Sequence, residues 1–181
     1  MLPNWFETQA HFFERHVPQD ALNVLQIGAY TGDATQWLLN NRLVINLDDV
    51  DTWGGSDENA HHSIDFSEVE SVWDSRFGYL NNVHKHKMTS DEFFFKNLPE
   101  TKKYNFIYID GDHTATQTAL DGLNAFRMLS VGGVIAFDDY WWNDNPSEFL
   151  RPKRGVEAFM SVCEGHYEVI EIGYQAWFKK C

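Results

Sequence analysis

Two apolar runs that end in aspartates constrain the fold of this 181-residue chain most strongly. The first ends in the sequence YIDGDH and the second in FDDY, and together they supply Asp110, Asp112, Asp138 and Asp139. Short apolar runs of this kind are typical of parallel strands that are buried on both faces. Open α/β folds bind their ligands at the carboxyl ends of such strands. We therefore predict that these carboxylates meet at one edge of a parallel sheet.

Carboxylates at the ends of neighbouring strands need a compensating charge. Adjacent strands lie about 4.8 Å apart, so these groups would repel one another and raise one another's pKa unless a cation or a shared proton intervened. The sequence therefore predicts a site for a hard cation. The formal net charge of −13, from 27 acidic and 14 basic residues, argues against a nucleic-acid partner, whose phosphates are bound largely by Lys and Arg.

Composition and length indicate one domain over residues 1–181, with 43% hydrophobic and 15% aromatic residues to build its core. The two cysteines, Cys163 and Cys181, form no disulfide framework or zinc motif, which favours a reducing compartment. The first residues lack a signal-peptide pattern, and no apolar run is long enough to span a membrane. We expect a soluble, cytoplasmic protein without a membrane partner.

Strand and helix patterns alternate along the chain. An N-terminal helix is expected within residues 1–20, a Trp-, Asn- and Pro-rich loop occupies residues 140–154, and predicted helices separate most of the predicted strands. These strands cover residues 24–27, 43–50, 83–88, 104–109, 134–137, 167–172 and 175–179. Alternating βα units imply a mostly parallel sheet with helices on both faces.

Five motifs, taken in order, resemble those of class I S-adenosylmethionine-dependent methyltransferases. They are LQIGAYTG at 25–32, VDTW at 50–53, YIDGDH at 108–113, LSVGGV at 129–134 and FDDY at 137–140. The resemblance covers nearly the whole chain. It implies a Rossmann-like, doubly wound seven-stranded sheet whose last strand is antiparallel, with the cofactor lying across the ends of the first, second and fourth strands.

The resemblance assigns the methionine and ribose portions of the cofactor to the turn from Gly28 through Ala29 and Tyr30 to Gly32. Glycines there would let the backbone approach the cofactor closely. An ordinary strand-to-helix turn explains the two glycines equally well when the turn is considered alone. A nicotinamide dehydrogenase is the rival, but it expects G-x-G-x-x-G, and this turn reads G-x-x-x-G.

The adenosine portion is assigned by the same resemblance to three further residues. Asp51 would accept the ribose hydroxyls, Trp53 would pack near the adenosine, and Ser90 would face the adenine edge. Ser90 suits the N-cap of the following helix equally well. For Asp48 and Asp49 we expect a solvated strand end rather than a function.

Asp110 and Asp138 are 28 positions apart, and Asp139 is adjacent to the second of them. This arrangement resembles that of magnesium-dependent O-methyltransferases of the catechol and macrolide-sugar types. The resemblance implies that the three carboxylates hold Mg²⁺ or Mn²⁺, that Asp110 also contacts the cofactor, and that Asp112 or His113 is the catalytic base. Acids also end the fourth strand of methyltransferases that bind no metal, and the pair Asp138–Asp139 could instead cap the turn that follows it.

The predicted function is O-methylation of a hydroxyl on a small sugar or phenolic acceptor. Residues 140–154 would form the acceptor loop, in which Tyr140, Trp141 and Trp142 either floor the acceptor pocket or pack the loop onto the core. The alternatives are a metal-independent N- or O-methyltransferase and a non-catalytic cofactor-binding interaction module. The sequence leaves the acceptor and the oligomeric state open, with a homodimer as one option.

Overall fold

The computed structural model describes residues 2–20, 22–56, 60–98, 103–143 and 147–181. Seven strands lie within these ranges: β1 Leu22–Ile27, β2 Val44–Asp51, β3 Val83–Lys87, β4 Tyr104–Ile109, β5 Leu129–Phe137, β6 Tyr167–Ile172 and β7 Ala176–Lys180. They form one sheet in the order β3-β2-β1-β4-β5-β7-β6, in which β7 is antiparallel to both of its neighbours and the other pairs are parallel. The predicted fold class is confirmed.

Helices cover both faces of the sheet. They are α1 Ala10–His16, α2 Asp33–Asn41, α3 Phe66–Phe77, α4 Ser90–Asn97, α5 Ala115–Met128 and α6 Pro152–Val162. Helices α1 to α3 pack on one face around Phe13 and Trp73, and α4 to α6 pack on the other around Phe93 and Phe159. Side chains of successive strand residues alternate between these two cores, as the two-residue period of a strand requires.

Strand register aligns the predicted motifs at one edge. Ile27 of β1 pairs with Val50 of β2 and with Ile109 of β4, and Ile109 pairs with Phe137 of β5. The residues that follow these strands, including the glycine turn and the aspartates, therefore emerge side by side at the carboxyl end of the parallel strands.

The N-terminal helix, Ala10–His16, lies within the residues predicted for it and follows a short 3₁₀ turn at Phe6–Thr8. Two other predicted boundaries need correction. Strand β5 begins at Leu129, directly after α5, and its pairing with β4 is irregular up to residue 134. The predicted acceptor loop ends early, because Pro152 starts α6 with the backbone angle that suits a first helical turn. Residues 144–146 of that loop lie outside the described residues.

Candidate active site

A cavity of about 320 Å³ opens at the carboxyl ends of β1, β2 and β4. Its volume falls within the range of roughly 300–1,000 Å³ that is typical of small-molecule sites. Seven of the predicted site residues line it: Gly28, Tyr30, Asp51, Ser90, Asp110, Asp112 and His113. The sequence motifs therefore converge on one concave site.

The two glycines of the turn have different structural roles. Gly28 has φ +86°, and a Cβ there would lie 1.7 Å from the carbonyl oxygen of Asp110, so a side chain is excluded where the turn meets the end of β4. Gly32 has φ +81°, and a Cβ there would lie 2.2 Å from the ring of Phe77. Gly28 lines the cavity, whereas Gly32 is required by the packing of α3.

Asp51 joins the glycine turn to the end of β2. Its Oδ2 accepts hydrogen bonds from the backbone N–H groups of Ala29 and Tyr30, both at 2.9 Å, and its Oδ1 accepts the N–H of Trp53 at 2.7 Å. A carboxylate oxygen can accept about two hydrogen bonds. Within the described part of the chain Oδ1 accepts one, so it has room for a ligand hydroxyl.

Trp53 lies behind the turn rather than in the cavity. Its side chain is buried, its indole N–H donates to the carbonyl of Tyr30 at 2.9 Å, and its ring packs against Trp73. Trp53 does not line the cavity, and its packing near the adenosine stays a prediction. Ala29 is likewise buried, and its contribution to the site is the N–H that it donates to Asp51.

The start of α4 is capped by Thr89 and not by Ser90. The Thr89 hydroxyl accepts the backbone N–H of Glu92, and the Glu92 carboxylate accepts the N–H of Thr89, which forms a capping box. The predicted capping role of Ser90 is therefore wrong. Its side chain lines the cavity next to Asp91 and contacts the amide of Gln117 at 3.1 Å.

Asp110, His113 and Asp139 form a compact cluster beside the cavity. His113 Nε2 lies 3.0 Å from Asp139 Oδ2 and 3.7 Å from Asp110 Oδ1. One ligand atom from each of the three lies within 4.8 Å of the others, a spacing that could hold a metal ion. Burial raises the pKa of Asp110 well above its usual value, the charges of Asp138 and Asp139 raise it further, and His113 opposes them.

Asp138 turns away from this cluster. Its Oδ2 accepts the hydroxyl of Tyr108 at 2.6 Å, and its Oδ1 accepts the side-chain amide of Gln175 at 3.0 Å and the backbone N–H of Asp139 at 2.9 Å. Burial raises its pKa to about 7, and the charge of Asp139 adds to the shift. In the predicted metal trio, His113 therefore takes the place of Asp138.

Asp112 is exposed, lines the cavity and lies two residues before Thr114, the N-cap of α5. Its Oδ1 accepts the backbone N–H of Thr114 at 2.7 Å, which caps the turn that leads into the helix. The capping bond uses one carboxylate oxygen. A base at this position would act through the other.

Aromatic side chains surround the site, and the sequence revealed only some of them. The Trp142 ring lies 5.0 Å from that of His113, whereas Trp141 is exposed beneath the ammonium group of Lys153. On another wall of the cavity, Trp5 packs against Tyr30 and against His61, with ring centroids 4.7 and 5.5 Å apart. The sequence assigned Trp5 and His61 no role in the site.

Comparison with known protein families places residues 25–140 in a family described as a methyltransferase domain. A curated relative from Acanthamoeba polyphaga mimivirus, "Uncharacterized protein R132", is 27% identical over 138 residues. This match covers 74% of the chain and 57% of the relative. The chain thus spans little more than half the length of that relative. Across the described ranges, no helix combines the length and apolar character needed to cross a membrane.

Solved structures share the fold. An O-methyltransferase from Bacillus cereus in complex with S-adenosylhomocysteine is 18% identical, with a TM-score of 0.70, covering 96% of this chain and 81% of its own. Fibrillarin from Aeropyrum pernix with bound S-adenosylmethionine is 14% identical, with a TM-score of 0.61 and coverage of 95% and 74%. The N-methyltransferase NodS from Bradyrhizobium japonicum is 15% identical, with a TM-score of 0.63 and coverage of 98% and 97%.

The structural similarities, all at low sequence identity, establish the fold. The family match establishes that the chain belongs to the methyltransferase family. The match extends over most of the chain, from the glycine turn to the end of β5. The sheet order, with β7 antiparallel between β5 and β6, is that of the Rossmann-like methyltransferase fold. The chain belongs to the class I S-adenosylmethionine-dependent methyltransferases.

Proposed function

We propose that this protein transfers the methyl group of S-adenosylmethionine to a hydroxyl oxygen of a small molecule, with the help of a divalent cation. The observation that carries the proposal is the convergence of Asp110, His113 and Asp139 at the cavity edge. A methyltransferase fold alone does not require such a cluster. An alcohol is a weak nucleophile at neutral pH, and a bound cation favours its ionised form.

The cavity residues fit the cofactor. Asp51 Oδ1 has capacity for a ribose hydroxyl, and carboxylates of Asp91, Asp110 and Asp112 also line the cavity. Four carboxylates along one cavity suit a ligand that carries a sulfonium and an ammonium group. The cleft between these walls is where the comparison with S-adenosylmethionine-binding folds predicts the cofactor to lie.

The donor set of the cluster fits a cation that accepts mixed ligands. Two carboxylates and one imidazole suit Mn²⁺ at least as well as Mg²⁺, which prefers oxygen ligands throughout. When bound, the cation would acidify and orient the acceptor hydroxyl. If His113 is a ligand, it is not available as a base, and Asp112 becomes the residue that accepts the proton.

A second assignment is favoured by one distance. The 3.0 Å separation between His113 Nε2 and Asp139 Oδ2 is a hydrogen-bond length, which would make the pair an aspartate-oriented base without any metal. This assignment corresponds to a metal-independent N- or O-methyltransferase. A third reading, a non-catalytic cofactor-binding module, would leave the cluster without a role.

The acceptor we propose is flat and uncharged or cationic. Trp142 lies beside His113, and Trp5 and His61 flank the cavity, so aromatic surfaces are available to a phenolic ring or a sugar face. The acidic cavity wall disfavours anionic acceptors. A small molecule is therefore the proposed partner, and not a nucleic acid.

The test is methyl transfer from labelled S-adenosylmethionine to a panel of phenolic, sugar and amine acceptors. The protein is first stripped with a chelator and then supplied with Mg²⁺ or Mn²⁺. We expect turnover on a hydroxyl acceptor to be lost in chelator and restored by the cation. Full turnover in excess chelator would favour the Asp–His base, and transfer confined to amines would contradict O-methylation.

A further inference from the structure

A tyrosine hydroxyl contacts the proposed cation cluster, and neither the proposed metal ligands nor the proposed base accounts for it. Tyr174 lies in the turn between β6 and β7, and its side chain is partly exposed. Its hydroxyl donates a hydrogen bond to Asp139 Oδ1 at 2.9 Å. An ionised carboxylate has no hydrogen to give, so the phenol is the donor.

The two oxygens of Asp139 are divided between different partners. Oδ1 accepts the Tyr174 hydroxyl, whereas Oδ2 lies 3.0 Å from His113 Nε2, within the cluster. The main chain is held as well, because the Asp139 N–H donates to Asp138 Oδ1 and the Asp139 carbonyl accepts the N–H of Trp142, both at 2.9 Å. Asp139 therefore keeps Oδ1 on the tyrosine and presents Oδ2 to the cluster.

This division limits how Asp139 can bind a cation. A contact through both carboxylate oxygens would require Oδ1 to give up the hydrogen bond from Tyr174. Mg²⁺ binds single oxygens at about 2.0–2.1 Å, whereas Ca²⁺ takes about six to eight oxygens at roughly 2.3–2.6 Å and often takes both oxygens of one carboxylate. A carboxylate that offers one oxygen thus suits the smaller ion better than Ca²⁺.

We propose that Tyr174 is a positioning residue that keeps Asp139 a one-oxygen ligand, so that the cluster selects a small divalent cation over Ca²⁺. This inference rests on the proposed binding of a cation by Asp110, His113 and Asp139. Tyr174 acts through Asp139 and is not counted among the three ligands. Without its hydroxyl, Oδ1 is released, and the carboxylate can offer both oxygens to a larger ion.

The experiment compares Mn²⁺ and Ca²⁺ binding by the chelator-stripped wild type and by Tyr174→Phe. Electron paramagnetic resonance of free Mn²⁺ gives the first affinity, and displacement of bound Mn²⁺ by Ca²⁺ gives the second. Neither measurement requires cofactor, acceptor or turnover. We expect the wild type to prefer Mn²⁺. The ratio of Mn²⁺ to Ca²⁺ affinity should fall by about threefold or more in Tyr174→Phe, because Mn²⁺ loses an oriented ligand whereas Ca²⁺ gains an oxygen.

Tyr104→Phe is the matched control. It also removes a phenol that donates to an aspartate, Asp48 Oδ2 at 3.0 Å, but neither Tyr104 nor Asp48 belongs to the cluster or lines the cavity. The affinity ratio should stay within about threefold of the wild-type value. A fall as large as that in Tyr174→Phe would overturn the inference, because the loss of any such bond would then disturb the site.

The outcomes separate this inference from the proposed function. A wild type that binds neither cation overturns both. One that binds Mn²⁺ without preferring it to Ca²⁺ overturns the inference and leaves the cation site intact. The same holds if Tyr174→Phe keeps the wild-type ratio, raises it, or loses both ions equally, since a hydroxyl that only supports the fold would affect the two ions alike.

Discussion

The aspartates inside β2 and those at the ends of β4 and β5 have the same side chain in opposite surroundings. Asp49 is fully buried and accepts hydrogen bonds from the Thr35 hydroxyl and the Trp73 indole, both at 2.8 Å. By contrast, Asp110 and Asp139 face each other and a histidine, and the Tyr174 hydroxyl, which Asp139 Oδ1 accepts at 2.9 Å, is the one further side-chain donor to either of them within the described residues. A carboxylate whose two oxygens both accept hydrogen bonds from the protein core is a structural group. One with an oxygen that faces further acids retains capacity for a cation.

Asp138 shows that the donors available to each carboxylate oxygen, and not sequence position, separate the two kinds, because both of its oxygens accept hydrogen bonds. It is adjacent to Asp139 and ends the same strand, yet Tyr108 and Gln175 supply it with donors from within the core. Asp48 is of the same kind, with the hydroxyl of Tyr104 at 3.0 Å. Each prediction below tests one side of this distinction.

The largest effect on stability and on cofactor binding is expected at Asp51, whose carboxylate accepts three backbone hydrogen bonds and lines the cavity. Asp51→Ala leaves three backbone N–H groups without their acceptor, and hydrogen bonds to a charged group contribute about 1.5–3 kcal/mol each. We expect the free energy of unfolding in urea to fall by about 3 kcal/mol or more, and cofactor binding to weaken. Asp51→Asn, which keeps one acceptor oxygen, should lose less. Wild-type cofactor affinity in Asp51→Ala would show that the carboxylate does not support the site.

Asp112 should affect catalysis without affecting binding. Asp112→Asn is expected to lower kcat by roughly 100-fold, as loss of a general base does, while cofactor and Mn²⁺ affinity change by no more than a few-fold. His113→Gln should instead weaken Mn²⁺ binding, because it removes a member of the cluster. Rate profiles across pH on both variants measure this. If His113→Gln abolishes the rise of the rate on the acidic limb of the profile and keeps the metal, His113 is the base.

Replacement of Asp49 tests how burial changes the pKa of a carboxylate and the stability that depends on it. Burial raises its pKa to about 7, against hydrogen bonds from Thr35 and Trp73 that lower it. Because the folded state binds this proton more tightly than the unfolded state, the contribution to stability is full below about pH 4 and is lost as pH rises toward 7. The unfolding free energy of the wild type minus that of Asp49→Asn should therefore fall by about 2 kcal/mol between pH 5 and 7. A difference that stays constant with pH would contradict a raised pKa.

Neighbouring aspartates at the end of β5 should differ in metal binding. Asp139→Asn is expected to weaken Mn²⁺ binding by about 10-fold or more, whereas Asp138→Asn should change it by less than about threefold. Electron paramagnetic resonance of free Mn²⁺ gives both affinities. The reverse ranking would restore the trio of carboxylates that the sequence suggested.

Sequence patterns were sufficient for the sheet and for the strand ends that build the site. They overstated the pairing of Asp138 with Asp139, since Asp139 adopts a left-handed backbone conformation, with φ +57°, just after β5, and only one of the two side chains faces the cluster. They also treated Asp48 and Asp49 as solvated, which is wrong because β2 is an interior strand between β1 and β3 and buries both. Burial depends on a strand's neighbours in the sheet and on the helices that cover it, which local sequence indicates poorly.

The residues near the cavity that sequence patterns missed differ in whether the sequence contained a signal for them. An acid at Asp121, one turn after Gln117 on the apolar face of a predicted helix, could have marked a buried polar network. Trp5 and His61 gave no such signal. They meet at the cavity through tertiary packing of segments that are distant in sequence.

Direct binding of the cofactor tests the central claim most simply. The purified chain is titrated by calorimetry with S-adenosylmethionine, S-adenosylhomocysteine and NAD⁺. The structure predicts one site for each of the first two, weakened in Asp51→Ala, and none for NAD⁺. Absence of binding by either methionine-derived compound at millimolar concentration, or binding of NAD⁺ in their place, would contradict the assignment of this cavity.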